Sequence, residues 1–384
     1  RGEDALHFLW VSDCSGYQEW QSLSLLWSIY RAQGPGTGVT RLISGCSSDE
    51  QAERLHSHAA LFPRANGQRA PLLFFTGAHV RNEELNDTYP PYNRPHSIAE
   101  WVKTQPLHHR TWVVLLDPDM VMLAPMRLPS APTPRGGGGA EQTRGAPQTE
   151  HLYSRRLPLA DALRLPAMGQ RYEYMSKRWA DAALQLGTIC EADAKGCLAL
   201  DAEAMSEFFA VGPPWVVRFQ DLQRAAPLWQ AYTPRIRRQY RQLIAEMYAY
   251  SLALASIDVR HALFDHFVVS YPNAPVGEQA WPWIDASDSD VCGLAPDPAG
   301  SPLPTFLHYC EVYHSEDWYF QKRDVPHSEV LSCQAPLFAE PPGDLLRKRR
   351  GGAANDPSDW ARQAVRHAWY LCKLLPTLNE AVGA

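Results

Sequence analysis

The chain opens with a strand, a helix and a second strand in direct succession, and no other feature of the sequence constrains the fold as strongly. Residues 6–12 (LHFLWVS) are almost wholly apolar, as a strand covered on both faces must be. Residues 17–31 then carry Trp20, Leu23, Trp27 and Tyr30 at helical spacing. A glycine-rich turn at 34–38 leads into a second short strand at 40–44 (TRLIS). Two short strands joined through a helix lie parallel, so the opening predicts a parallel sheet.

Further strands are expected at 111–116 (TWVVLL), within 211–219, at 266–270 and within 303–313. Helices are expected at 97–104, through most of 155–186, at 245–256 and at 360–382, the last interrupted at Pro376. The stretch 129–150 (PSAPTPRGGGGAEQTRGAPQTE) has too few apolar groups to offset the entropy of ordering it, and reads as a mobile loop or insertion. No internal repeat is present. The chain therefore reads as α/β, with a mixed, mostly parallel central sheet flanked by helices. One domain is expected over 1–342 and a helical tail over 343–384.

Composition narrows the partners. A formal net charge of −6 gives no basic footprint for phosphate backbones, which excludes nucleic acid. Thirteen Trp, sixteen Tyr and twelve Phe suit a thick core or a groove lined with rings. No run of about 18 apolar residues is available to span a bilayer. The abrupt start at Arg1, with a strand close behind it, leads us to expect an N-terminal anchor ahead of this sequence. Eight cysteines without CxxC spacing favour disulfides over a structural zinc site, and the sequon Asn86-Asp87-Thr88 agrees with an oxidising lumen.

The sharpest chemical feature is Asp117-Pro118-Asp119, directly after the strand WVVLL. Two carboxylates at the carboxyl edge of a parallel sheet stand where such folds place ligands, and they could hold Mn²⁺ or Mg²⁺ against a diphosphate. The same spacing at Glu191 with Asp193 and at Asp288 with Asp290 reads as solvated turns. His308, in FLHYC, could complete a metal sphere, the plain alternative being a packed histidine. Glu246 lies in the apolar stretch IAEMYAYSLALA, where a carboxylate needs either a site or a partner; Arg235, Arg237 and Arg238 are near in sequence. Lys322 and Arg323 could clamp phosphates or simply face solvent. Nucleophile-elbow, Walker, zincin and dinucleotide-binding motifs are absent from the sequence.

These residues fall in a recognisable order. Ser12-Asp13-Cys14, Tyr17-Gln18-Glu19-Trp20-Gln21, Thr40-Arg41-Leu42 with Cys46, and Asn93-Arg94-Pro95 ahead of Trp101 resemble the hydroxyproline O-arabinosyltransferase family and, equally, the related peptidyl-serine α-galactosyltransferases. LLDPDM at 115–120, APLW at 226–229, EMYAY at 246–250, LHY at 307–309 and LFAEPP at 337–342 extend the match across nearly the whole chain. The resemblance implies a GT-A-like glycosyltransferase that is metal-dependent and retaining, a UDP-sugar donor with Mn²⁺ (or Mg²⁺), and a Golgi or ER lumen address as a type II membrane protein. The implied acceptors are proline- and hydroxyproline-rich glycoproteins of plant and green-algal cell walls, whose extended helices suit aromatic grooves.

Carried over by position, Asp117 and Asp119 become the metal and diphosphate site, with His308 as third ligand. Asp13, Gln21, Arg41 and Arg94, with Lys322, become donor-binding residues, and Glu246 with Asp119 the catalytic candidates. Pro118 and the triplet Asn93-Arg94-Pro95 lean toward transfer of L-arabinofuranose from UDP-arabinofuranose to peptidyl hydroxyproline, which is the leading expectation. Cys14 with Cys46 leans toward transfer of galactose to serine. A binding or scaffold protein for proline-rich glycoproteins is the reading from another class. Expected disulfides are Cys14–Cys46 and Cys190–Cys197, with Cys310–Cys333 and Cys292–Cys372 for the remaining four.

Overall fold

A computed structural model describes residues 5–34, 36–61, 71–105, 107–128, 164–274, 281, 284, 292, 304–315, 317–342 and 359–383. The glycine- and proline-rich stretch 129–150 lies outside the described residues. The chain divides into two compact units, residues 1–120 with 165–263, and residues 121–164 with 264–384. The C-terminal helix falls in the second unit.

The first unit is built on a seven-stranded sheet in the order His261–Phe264, Ala167–Arg171, Val211–Arg218, Trp112–Leu116, Leu6–Asp13, Gly38–Ser44, Leu72–Thr76. Leu6–Asp13 pairs parallel with both Trp112–Leu116 and Gly38–Ser44, and Gly38–Ser44 pairs parallel with Leu72–Thr76. Val211–Arg218 runs antiparallel to both of its neighbours. The sheet is thus mixed and mostly parallel, flanked by helices, as the opening of the sequence predicts. Trp112–Leu116 is buried throughout, which fits its place inside the sheet.

Helix Gly16–Gln33 begins where the Ser15 hydroxyl accepts from the Gln18 N–H and stops at Gly34, whose φ of 97° suits glycine. It buries Trp20, Leu25, Leu26 and Ile29. Helix Phe219–Gln239 escapes the sequence reading because Pro227 and Pro234 lie inside it. Each interior proline costs about 3 kcal/mol. Against that cost stand Leu222, Ala226, Trp229, Thr233 and Ile236, buried at helical spacing, where a large apolar side chain contributes roughly 1.5–3 kcal/mol. The stripe prevails and the helix runs on.

Other expectations need correction. The span 155–186, expected to be mainly helical, contains the strand Ala167–Arg171 and short helices at Glu173–Lys177 and Trp179–Ala182 among its described residues. A strand at His261–Phe264 was not expected, and the one expected at 266–270 shrinks to Val268–Val269. The aromatic excess goes largely into the core: Trp10, Trp20, Trp101, Trp215, Trp229, Trp281 and Trp369 are all fully buried.

The second unit holds a three-stranded sheet, ordered Val268–Val269, Phe306–His308, Met120–Met122, and the hairpin Val312–Ser315 with Trp318–Gln321. Helix Asp359–Gly383 continues through Pro376 instead of breaking there. Its residues Ala368–Cys372, Leu374, Leu375 and Leu378 are buried, and Tyr370 stacks on Tyr313 with centroids 4.0 Å apart. Those contacts hold the helix together across the missing N–H. Cys14–Cys46, Cys190–Cys197 and Cys292–Cys372 are disulfides. Cys310 and Cys333, expected as a pair, are free and exposed.

Candidate functional site

In the parallel part of the sheet Trp10 lies opposite Leu116, so Asp13 and Asp117 both stand at the carboxyl end of neighbouring strands. Open α/β sheets bind ligands at that edge. The Asp13 carboxylate accepts from the Ser15 N–H at 2.9 Å and from the Ser15 hydroxyl, while its own N–H donates to Gln18 Oε1 at 2.7 Å. The first strand therefore passes into its helix through a tight turn fixed at Asp13. Asp117-Pro118-Asp119 forms the equivalent turn after Trp112–Leu116, with Asp119 buried and Asp117 partly exposed.

Arg94, in the first turn of helix Asn93–Thr104, reaches this edge. Its Nη2 donates to Asp117 Oδ1, and its Nη1 lies 3.4 and 3.3 Å from the two carboxylate oxygens of Glu246. The guanidinium carbon sits 5.1 Å from the centroid of the Trp215 ring, a cation–π contact. Glu246 opens helix Ala245–Ser256 and is 2% exposed. Burial pushes its carboxyl above the usual range, and the charge and hydrogen bonds of Arg94 pull the other way. The partner of Glu246 is thus Arg94, not the nearby Arg235, Arg237 or Arg238. Those three pair with Glu191, Asp87 and Glu84.

The backbone around Glu246 is pinned as well. Its N–H donates to Tyr89 Oη at 3.1 Å, and its carbonyl accepts from Trp229 Nε1 at 3.0 Å. Tyr89 in turn lies under the Arg237 guanidinium, 4.2 Å from carbon to centroid. Arg237 grips Asp87 with two bonds of 2.7 and 2.8 Å, and the Tyr92 hydroxyl donates to the same carboxylate at 3.0 Å. Tyr89, Trp215 and Trp229 are supports that sequence reasoning missed. APLW marked Trp229 as a shared residue, but nothing in the order of residues pointed to its hydrogen bond with Glu246.

Gln21 and Arg41, expected as donor-binding residues, lie in the interior. Arg41 is completely buried, with Nη1 at 2.7 Å from Glu19 and Nε donating to Ser12 Oγ at 2.9 Å. Gln21 is buried too, its Nε2 donating to the Tyr17 carbonyl at 2.8 Å. Both brace the junction of first strand and first helix. Glu246, expected from sequence as a catalytic candidate, is buried and bonded to Arg94. In the second unit His308 ends the strand Phe306–His308 and is buried, and half-buried Lys322 follows the strand Trp318–Gln321.

No family model matches the chain. Among solved structures it is similar to the galactosyltransferase LgtC in complex with donor and acceptor sugar analogs, at TM-score 0.43 and 11% identity, covering 91% of this chain and 99% of that one. It is also similar to the bifunctional glycosyltransferase WbbM, at TM-score 0.41 and 14% identity, covering 86% and 51%. Among curated proteins it is 28% identical over 120 residues to a peptidyl serine alpha-galactosyltransferase of Chlamydomonas reinhardtii, 31% of this chain and 14% of that protein. It is also 24% identical over 340 residues, 88% of the chain, to the peptidyl serine alpha-galactosyltransferase of Arabidopsis thaliana, of whose length the chain spans 34%.

Proposed function

We propose that the chain is a metal-dependent, retaining glycosyltransferase of GT-A-like architecture that moves a sugar from a UDP-sugar to a hydroxyl of a peptide. The observation that carries this reading is the joining of Asp117, Arg94 and Glu246 at the carboxyl edge of a parallel sheet, in a chain similar to peptidyl serine alpha-galactosyltransferases over most of its length. Galactose on serine is the leading donor and acceptor pair on that similarity. Arabinofuranose on hydroxyproline is the second reading, favoured by Pro118 and by the triplet Asn93-Arg94-Pro95. The three disulfides support an oxidising compartment, the Golgi or ER lumen.

The donor set suits a hard divalent cation. Asp117 and Asp119 offer carboxylate oxygens, ligands that Mn²⁺ accepts, and the resemblance adds the imidazole of His308 as a third. When bound, such an ion would neutralise charge on the departing diphosphate. The protein's own residues do the remainder. Asp13 and Asp117 frame the strand ends where the nucleotide would lie, and Arg94, held between Asp117 and Glu246, is the guanidinium that would meet the diphosphate. Glu246 keeps Arg94 in place, while Tyr89 and Trp229 keep Glu246 in place. In the transfer the bond from the anomeric carbon to the diphosphate oxygen breaks, a bond from the acceptor oxygen forms, and the acceptor proton passes to the departing diphosphate.

The test is transfer from UDP-galactose and UDP-arabinofuranose to a serine peptide and its hydroxyproline counterpart, with Mn²⁺ and with EDTA. Transfer of galactose to serine that EDTA abolishes is the expected outcome. Arabinofuranose on hydroxyproline moves the chain to the second reading. Absence of transfer with either donor, in folded protein, contradicts both and favours a binding protein.

A further inference from the structure

Arg94 serves two carboxylates whose situations differ. Glu246 is 2% exposed, and both of its oxygens face the Arg94 guanidinium. A carboxylate that buried stays charged only beside a cation. Asp117 stands on the turn after its strand, keeps 14% of its side-chain surface open, and is followed two positions later by Asp119. Beneath the guanidinium, the Trp215 ring offers a face that holds a cation whichever carboxylate it bonds.

We propose that Arg94 is an exchangeable counter-ion, which holds Asp117 and Glu246 together and gives up Asp117, while keeping Glu246, when a divalent cation takes the Asp117 carboxylate. This rests on the metal-dependent reading above and adds to it a competition inside the protein. A guanidinium and a divalent cation on the same carboxylate repel each other, so one displaces the other. Glu246 decides where the displaced group goes. Because its buried carboxylate needs Arg94, the guanidinium turns within the site and is not expelled into water. The Nη2 that leaves Asp117 then becomes a free donor on the side where the diphosphate lies, so cation binding prepares the site for the nucleotide. Arg94 is in this sense a positioning residue as well as a donor-binding one.

The experiment is calorimetric titration of Mn²⁺ into the 384-residue chain and its Arg94→Ala variant, with folding of each checked by thermal denaturation. Removing the competitor is expected to tighten Mn²⁺ binding at least tenfold. Glu246→Gln is expected to weaken binding in the parent chain by several-fold more than it does in the Arg94→Ala background, since its effect passes through Arg94. Equal or weaker binding by Arg94→Ala overturns the exchange. Absence of Mn²⁺ binding by the parent chain is a different failure, because it removes the metal-dependent reading itself. Should Arg94→Ala not fold, the parent chain still decides. With ¹⁵N-labelled arginine and Mg²⁺ as the probe, the Arg94 Nη signals are expected to change through saturation as one of their two partners is lost, and unchanged signals overturn the proposal.

Discussion

Glu19 and Glu246 are both carboxylates 2% exposed in helices, yet their charges are settled in opposite directions by the number of cations around them. Burial pushes the Glu19 carboxyl up, but His58, Arg41 and Arg54 together bring it down to about 2. Burial pushes Glu246 up as well, and with Arg94 as its cation it stays up. The sign for stability follows. A depressed carboxyl contributes above its unfolded value near 4.5 and loses that contribution as pH falls toward 2, an amount of up to about 3 kcal/mol. Acid unfolding of the parent chain should therefore steepen between about pH 4.5 and 2. Glu19→Gln should lower stability at neutral pH and flatten that part of the curve, and an unchanged acid profile would show that Glu19 is not the group concerned. At this scale the sequence showed what lies close along the chain. Asp117 and Asp119 could be read as a pair because two positions separate them, whereas Arg94 and Glu246 lie 152 residues apart. Their pairing depends on two helices meeting, which residue order does not disclose, so the reading turned to Arg235, Arg237 and Arg238. For Arg41, resemblance marked the position but not the direction in which it points.

At the scale of elements, strands were legible where apolar runs were short and bounded, as at Leu6–Asp13, Gly38–Ser44 and Trp112–Leu116. Helices were legible in part: Ser48–Leu61 holds no proline and still went unread, because it buries only His58 and so carries no apolar stripe. Phe219–Gln239 went unread, and the final helix was expected to break at Pro376, because local backbone preference was weighed without the buried stripe that overrides it. Pro227 is exposed, so its ring contributes little packing while its missing N–H still weakens the helix. Pro227→Ala should raise stability by about 1–3 kcal/mol in urea denaturation, with no loss of sugar transfer. A drop in stability would mean that the proline itself holds the helix in place against Ala245–Ser256.

For the whole molecule, each of the three disulfides closes within one of the two units. The Cys14–Cys46 bridge, at a sequence separation of 32, ties the turn of Asp13 to the end of the second strand. By loop entropy its removal should cost about 3–4 kcal/mol. Replacing both cysteines with serine should lower the unfolding free energy by that amount. Alkylation of the native, unreduced protein should mark Cys310 and Cys333 alone. Resemblance foretold Cys14–Cys46 and short spacing Cys190–Cys197; Cys292–Cys372, expected only as the remaining pair, also forms, while Cys310 and Cys333 stay free.

The central claim is that the acidic turn beyond Trp112–Leu116 is the centre of a sugar transfer, and Asp119→Asn addresses it most directly, since it removes one charge with little change in shape. The measurement is the initial rate of Mn²⁺-dependent transfer to peptide by the parent chain and the variant, at matched stability. A loss of about 10²-fold or more is predicted, in line with removing a charged group from a catalytic centre. A variant that transfers sugar at the parent rate would contradict the account, and would reduce the turn to the solvated link between two strands that its sequence also allows.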